Sequence, residues 1–250
     1  MSTAPRCFAL VPCAGLGLRA GGAGPKQYAL LAGRPLVWHT LDALAAVRRL
    51  TATLVVLAAD DNGFEAALPG FVAQRGWLAR CGGATRAATV SAGLAVLRER
   101  GAAERDWVLV HDAARCLLEP AWVDRLIDGC IDDPVGGLLA LPLADTLKQA
   151  AASAPDRSMS TLARDAKWLA QTPQMFRLGP LQQALQAAAE RGLVVTDEAS
   201  AIEAAGLQPK LVPGEIENLK LTWPGDFALA ERWLHARSAS ATVSPTPLAA

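Results

Sequence analysis

This sequence lacks an excess of either charge and lacks a long apolar run. Among its 250 residues, Lys plus Arg and Asp plus Glu each number 24, so the formal net charge is zero. A general nucleic-acid or membrane-surface binder carries a basic excess, so the balance argues against both classes. Nowhere do about twenty apolar residues follow one another, which argues against a membrane-spanning helix.

Paired cysteine motifs are also missing. The cysteines form no Cys-x-x-Cys pair and are odd in number: Cys7, Cys13, Cys81, Cys116 and Cys130. That pattern is typical of reduced thiols and not of a disulfide framework. The first apolar run lies directly before a glycine-rich stretch, so we interpret it as a strand and not as a signal peptide. We therefore expect a cytoplasmic protein.

Hydrophobic residues make up 52% of the chain and charged residues 19%, which is typical of a globular protein. Four short apolar runs predict buried parallel strands, at residues 7–12, 51–58, 107–112 and 136–143. Helix-type spacing lies between them, at residues 35–47, 84–100 and 120–131. This alternation predicts an α/β fold with a doubly wound, mostly parallel sheet.

The pattern changes after Leu143. Residues 143–166 have little helical period, so we expect a protruding hairpin-like β-arm there. Helices are predicted again at 179–191 and at 197–205, with Thr196 or Asp197 as the N-cap of the second. Residues 217–222 predict a strand, which a last helix follows. We expect one domain over 1–237 and a disordered tail over 238–250.

A glycine-rich stretch, "VPCAGLGLRAGGAGPKQY" at residues 11–28, follows the first strand. The Walker A motif fails because Pro25 interrupts it before Lys26 and because Gln27 replaces the hydroxyl that binds Mg²⁺. The letters of the dinucleotide fingerprint match residues 15–20, but the glycines and the proline that follow would break the helix that this fingerprint opens. Both familiar phosphate-loop motifs are therefore disfavoured.

Two interpretations of the loop remain open. Its backbone N–H groups can wrap a triphosphate, with Arg19 and Lys26 supplying the positive charge that a nucleotide requires. Alternatively, it is a surface loop with two solvated cations.

Seven blocks of the sequence resemble, in order, those of the 2-C-methyl-D-erythritol 4-phosphate cytidylyltransferases: "PCAGLGLRAGGAGPKQY", "GGATRAATVSAGL", "VLVHDAARCLL", "ADTLK", "QTPQMF", "TDEASAIEAAG" and "NLKLTWPGD". The resemblance covers residues 7–235. It implies a Rossmann-like nucleotidyltransferase fold and transfer of CMP from CTP to the polyol phosphate in isoprenoid precursor biosynthesis by the non-mevalonate route. Two alternatives stay open: a ribitol-5-phosphate cytidylyltransferase, and a nucleotide-binding regulator without turnover.

The resemblance also implies residue roles. Catalytic positive charge would come from Arg19, Lys26 and Lys220. Nucleotide-binding residues would be Ala14, Gly15, Gly17, Gly82, Gly83, Thr89 and Asp112. The polyol phosphate would be bound by Asp112, Arg115, Thr146, Arg164, Thr172 and Thr196. A homodimer would form through the arm, and Mg²⁺ would be bound mainly through the CTP phosphates, without a protein metal site.

These assignments have structural alternatives. Asp112 can cap the following turn, Lys220 can be a solvated edge lysine, and Arg164 can form an interface salt bridge. The sequence also departs from the family pattern at three positions, which bears on how the base is recognised: Cys13, Ala84 and Thr89.

Overall fold

A computed structural model describes residues 4–15 and 25–242 of the chain. Within these residues the central sheet consists of β1 (Cys7–Cys13), β4 (Leu50–Leu57), β5 (Gly76–Ala79), β6 (Trp107–Val110), β7 (Gly136–Pro142), β10 (Trp168–Arg177) and β11 (Lys210–Pro213). Two separate hairpins consist of β2 (Leu30–Leu31) with β3 (Arg34–Pro35) and of β8 (Leu147–Ala151) with β9 (Ala154–Leu162).

The α-helices are α1 (Leu36–Ala46), α2 (Phe64–Ala67), α3 (Arg86–Glu99), α4 (Pro120–Cys130), α5 (Leu178–Glu190), α6 (Glu198–Ala204) and α7 (Pro224–Thr242). Short 3₁₀ helices lie at Lys26–Tyr28 and Phe71–Gln74. Among these described helices, none has the length and apolar character that crossing a membrane requires.

The sheet has the strand order β11-β7-β10-β6-β1-β4-β5. Neighbouring strands are parallel except at β10, which is antiparallel to both β6 and β7. The predicted α/β class and the doubly wound, mostly parallel sheet are therefore confirmed.

Strand β1 shows why the sheet needs helices on both faces. Its side chains alternate: Cys7, Ala9 and Val11 pack with α1 and α4 in one core cluster, while Phe8 and Leu10 pack with α3, α5 and α6 in another. All five side chains are buried. Because both faces are covered, the strand is a continuous apolar run and not an alternating one.

The hairpin predicted within 143–166 is confirmed by β8 and β9, which pair antiparallel with Leu147 opposite Leu162. It forms a two-stranded sheet of its own, separate from the central sheet. Large apolar side chains on β9 are exposed, with Met159 at 59% and Leu162 at 39%.

The strand predicted at 217–222 is wrong. This segment is held by isolated contacts and not by a strand ladder: the Leu221 N–H donates to the Ala114 carbonyl at 2.9 Å, and Asn218 Nδ2 donates to the Thr172 carbonyl at 2.8 Å. Helix α7 continues to Thr242, which lies within the range expected for the tail. Residues 243–250 lie outside the described residues.

Candidate active site

The candidate site lies where β1 and β6 end, side by side and parallel. Ala14 and Gly15 follow β1, and Asp112 to Arg115 follow β6. Open α/β sheets bind ligands at the carboxyl ends of their strands, so this edge of the sheet is the expected position for a ligand.

A cavity of about 380 Å³ opens at this edge. Its charged lining residues, among those that the structure describes, are Lys26, Arg86, Asp112 and Lys220. Lys26 Nζ donates to the carbonyl oxygen of Leu221 at 2.5 Å, which ties the start of the 3₁₀ helix to the segment that carries Lys220. With Glu198, which pairs with Arg86 behind the lining, three cations stand against two carboxylates, and the remaining positive charge favours an anionic ligand.

Asp112 is held from two sides. Its Oδ1 accepts from Arg86 Nε at 2.8 Å, and its Oδ2 accepts from Lys220 Nζ at 2.7 Å. Burial alone would raise the pKa of the Asp112 carboxyl, but the charges and hydrogen bonds of Arg86 and Lys220 lower it below its usual range. The side chain therefore stays ionised, and it does not serve as the cap of the following turn.

A second cavity of about 170 Å³ shares Arg86, Asp112 and Lys220 with the first. Its further lining residues include Arg115, Thr172 and Thr196. The guanidinium of Arg115 donates to the carbonyl oxygens of Asn218 at 2.6 Å and Ala170 at 3.2 Å.

Arg115 Nε is buried without a hydrogen-bond partner among the described residues. A buried N–H of this kind is costly unless a ligand or water accepts from it. The positive charge of Arg115 nevertheless lines the second cavity, where it favours an anionic group next to the first cavity.

Buried His111 links Thr172 to Arg115. The Asp112 N–H donates to Thr172 Oγ1 at 3.0 Å, which leaves the hydroxyl proton free to donate to His111 Nδ1 at 3.1 Å. His111 Nε2 lies 3.2 Å from the Arg115 carbonyl, which can only accept, so the ring proton lies on Nε2. Burial lowers the pKa of this imidazole to about 4, so it is neutral at neutral pH, and it orders two residues of the second cavity.

The glycine pair beside the first cavity donates both of its N–H groups within the protein. The Gly82 N–H donates to Leu57 O at 2.8 Å, and the Gly83 N–H donates to Thr89 Oγ1 at 3.1 Å. A Cβ on Gly82 would lie 2.2 Å from the Ala14 Cβ, so this glycine permits close packing and does not itself line the cavity. Both N–H groups are thus engaged within the protein.

The structure shows the surroundings of Thr89 and Cys13, two of the three positions that depart from the family pattern. Thr89 anchors Gly83 with its hydroxyl and donates to Thr85 O at 2.9 Å, which a serine in its place would also be able to do. The Cys13 side chain lies in the core cluster beside α1 and α4. Neither position introduces a new charge at the cavity.

The comparisons with known proteins agree with this geometry. A family model described as 2-C-methyl-D-erythritol 4-phosphate cytidylyltransferase matches residues 7–236. The chain belongs to this family. A protein of that name from Burkholderia multivorans is 53% identical over 238 residues, which cover 95% of this chain and 99% of the relative.

A bifunctional enzyme IspD/IspF from Albidiferax ferrireducens is 60% identical over 236 residues. The match covers 94% of this chain but 54% of that relative, so the chain spans about half of its length. Among solved structures, a 4-diphosphocytidyl-2C-methyl-D-erythritol synthase superposes with a TM-score of 0.81 at 38% identity, covering 93% of this chain and all of that one. The cytidylyltransferase from Thermus thermophilus gives 0.74 at 30% identity, covering 92% and 99%.

Most of the residues to which the resemblance assigns a role line one of the two cavities. The first cavity is lined by Ala14, Gly15, Lys26, Gly83, Thr89, Asp112 and Lys220. The second is lined by Asp112, Arg115, Thr172, Thr196 and Lys220. Thr146 and Arg164 line neither cavity within this chain, and Arg164 donates to the Ala144 carbonyl beside the hairpin. Gly17 and Arg19 lie outside the described residues.

Two residues that the sequence did not indicate belong to this region: Arg86, which lines both cavities, and Glu198, which is buried behind it. Arg86 is the first residue of α3, after the N-cap Thr85, and Glu198 is the first residue of α6, after the predicted N-cap Asp197. The Arg86 guanidinium donates to both carboxylate oxygens of Glu198, at 2.7 and 3.0 Å, as well as to Asp112. The pair joins residues 112 positions apart, which no local pattern reveals.

Proposed function

We propose that this chain transfers CMP from CTP to 2-C-methyl-D-erythritol 4-phosphate, giving 4-diphosphocytidyl-2-C-methyl-D-erythritol and pyrophosphate. The observation that carries the proposal is the convergence of Lys26 and Lys220 on one cavity at the ends of β1 and β6, in a chain of this family.

The reaction needs little proton transfer. An oxygen of the phosphomonoester dianion attacks the α-phosphorus of CTP, a new P–O bond forms, and the bond to the bridging oxygen of the β-phosphate breaks. Pyrophosphate leaves with that electron pair. The nucleophile is already anionic, so the main obstacle is the approach of two anions and the charge that gathers on the leaving group.

Fixed positive charge answers that obstacle. Lys26 and Lys220 face the cavity in which the triphosphate would lie, and Arg115 lines the adjoining cavity, in which the polyol phosphate would lie. Donors that are held before the reaction begins stabilise the developing charge without reorganisation. Thr172 and Thr196, also in the second cavity, would bind the polyol phosphate. Arg19, on the glycine loop, would add a further cation.

Base selection would use carbonyl oxygens. Because the N–H groups of Gly82 and Gly83 are engaged, the Gly83 backbone at the cavity offers an acceptor. A carbonyl accepts from the 4-amino group of cytosine and repels the O4 atom of uracil. The tight packing of the neighbouring Gly82 against Ala14 favours a pyrimidine over a larger purine.

Mg²⁺ would be bound by the substrate. The described residues form no cluster of three or more His, Cys, Asp or Glu side chains, and the cavity's Asp112 is already bonded to Arg86 and Lys220. These residues do not fit a protein metal cage. We therefore expect the ion on the phosphate oxygens of CTP, a usual position for magnesium in phosphoryl transfer.

We infer a homodimer that forms through the hairpin. Exposed apolar side chains cluster on β9 and at the start of β10, and a second copy of the chain would cover them: Met159, Leu162, Trp168 and Leu169. In such a dimer Thr146 and Arg164, which line neither cavity of their own chain, would serve the partner's polyol site.

The five cysteines are free thiols, which supports a reducing compartment such as the cytoplasm.

Pyrophosphate release from CTP tests the proposal, with 2-C-methyl-D-erythritol 4-phosphate and ribitol 5-phosphate supplied in separate reactions. We expect release with the first acceptor, and a product whose mass equals CMP joined to the acceptor less one water. A reaction without acceptor is the control for CTP hydrolysis. Preference for ribitol 5-phosphate would change the substrate, and no release with either would favour a regulator without turnover.

A further inference from the structure

Arg86 and Glu198 connect the first turns of α3 and α6 to the cavity. Arg86 Nη1 and Nη2 donate to the two oxygens of Glu198, and Arg86 Nε donates to Asp112 Oδ1 at 2.8 Å. A guanidinium presents its N–H groups in a rigid planar fork, so one side chain can fix two carboxylates at set angles. Glu198 orients the fork, and the remaining edge of the fork reaches Asp112.

The lysine at the end of this chain of contacts needs an anchor. The Lys220 side chain is 39% exposed, whereas those of Asp112 and Glu198 are 11% and 1% exposed. A lysine has a long flexible stem, and its ammonium is a point charge without a preferred plane. Asp112 Oδ2 fixes that ammonium at 2.7 Å, and it can do so in one place only if the carboxylate does not rotate.

We propose that Arg86 and Glu198 are positioning residues of the transfer reaction: Glu198 orients Arg86, Arg86 fixes the Asp112 carboxylate, and Asp112 holds Lys220 where the two cavities meet. The inference rests on the proposed function, because it assumes that Lys220 acts on the phosphates. It gives a role in the reaction to the Arg86–Glu198 pair, which would otherwise only join α3 to α6.

Substitutions that keep the charge balance can distinguish a positioning role of Arg86 and Glu198 from a purely structural one. The four side chains cancel in charge, with Arg86 and Lys220 against Asp112 and Glu198. Removing one member of a buried pair leaves an uncompensated charge and destabilises the fold strongly, whereas replacing both members is often nearly neutral. A double substitution at positions 86 and 198 therefore restores the charge balance without restoring the contact to Asp112.

The experiment compares Arg86→Gln, Glu198→Gln, the double variant and Arg86→Lys. Asp106→Asn is the matched control, because Asp106 is also a buried carboxylate, 2% exposed, and accepts from Arg6 Nη2 at 2.7 Å. It precedes β6, at the opposite end of that strand from the cavity. Thermal unfolding gives Tm, and pyrophosphate release gives kcat and both KM values per folded molecule.

We expect both single Gln variants to have a lower Tm than the unsubstituted protein, and the double variant to recover most of that difference. Its kcat/KM for the polyol phosphate should nevertheless stay about 10- to 100-fold below that of the unsubstituted protein, the size expected for a misplaced catalytic group. Most of the loss should fall on kcat, with KM for CTP changing little, because Lys26 and the Gly83 backbone are untouched. Arg86→Lys should not rescue the rate, since an ammonium lacks the fork.

The control should lose Tm and keep its kinetic constants. A double variant that regains kcat/KM together with Tm would overturn the proposal, and so would full activity in Arg86→Lys or in folded Glu198→Gln. An unsubstituted protein without activity would instead contradict the proposed function. Loss of positioning and failure of the assigned reaction are therefore distinguishable.

Discussion

The neutral state of His111 makes the stability of this protein sensitive to mild acid. His111 has no solvent exposure, and its ring nitrogens bond to the Thr172 hydroxyl and the Arg115 carbonyl. Burial lowers its pKa from the usual 6.5 to about 4, and the nearby Asp112 carboxylate opposes the change only in part. The unfolded chain therefore binds this proton more readily than the folded chain does.

The sign and size of the effect follow from proton linkage. Between pH 6.5 and pH 4 the unfolded state carries more bound protons, so stability rises with pH and falls as the solution is acidified. Above pH 6.5 the buried imidazole takes almost nothing from the free energy of unfolding. Between pH 7.5 and pH 5 it lowers the free energy of unfolding by about 2 kcal/mol. Asp112, whose carboxyl pKa is lowered, loses stability only in stronger acid, while burial of Glu198 raises its carboxyl pKa and acts in the opposite direction.

Urea unfolding followed by tryptophan fluorescence measures the effect at pH 7.5 and pH 5. His111→Gln should start less stable but should lose about 2 kcal/mol less on acidification, because the carboxyls titrate in both proteins and cancel. His235, exposed on α7, provides the matched control, and His235→Gln should lose as much as the unsubstituted protein. An equal loss in His111→Gln would refute a buried neutral imidazole.

Three further predictions concern the reaction. Lys26→Ala should lower kcat by about 10²–10³, the usual size for one fixed donor, with only a small fall in Tm from the lost hydrogen bond to Leu221; near-normal pyrophosphate release would exclude Lys26 from the mechanism. CTP should be strongly preferred over UTP, ATP and GTP, and Ala84→Asp should change KM for CTP only modestly; efficient use of ATP would contradict the cytidylyl assignment. Mixed subunits of Lys26→Ala and Arg164→Ala should recover about a quarter of normal activity after exchange, because random pairing leaves half of the dimers with one intact site. No recovery despite proven exchange would mean that Arg164 acts within its own chain.

Buried apolar runs predicted the centre of the sheet well, and short or polar strands escaped prediction. β1, β4, β6 and β7 are continuous hydrophobic runs because helices cover both faces. β10 was missed because it is antiparallel and contains buried polar residues such as Gln171 and Gln174, whose partners lie far along the chain. β5 and β11 have four residues each and lie at the two edges of the sheet.

Residues 217–222, which were predicted as a strand and do not form one, show what an alternation of apolar and polar residues can indicate. Leu221 is buried and Lys220 is exposed, so these two residues alternate as strand residues do. A strand also needs a neighbouring backbone for its ladder, and here side chains and single carbonyls take that place. The local sequence indicates sidedness, but the presence of a neighbour depends on the whole topology.

The positions of Arg86 and Glu198 were the part of the site most hidden from the sequence, yet one local signal was present. Arg86 begins α3, where the helix dipole disfavours a cation and favours an anion. A residue that breaks a local preference is expected where function or a distant partner compensates for it. Here the compensation is two carboxylates from beyond β6 and from α6, and both lie beside the cavity. A cation at the start of a helix, three residues after a glycine pair, would therefore have indicated a nearby acidic partner, although only the fold identifies which one.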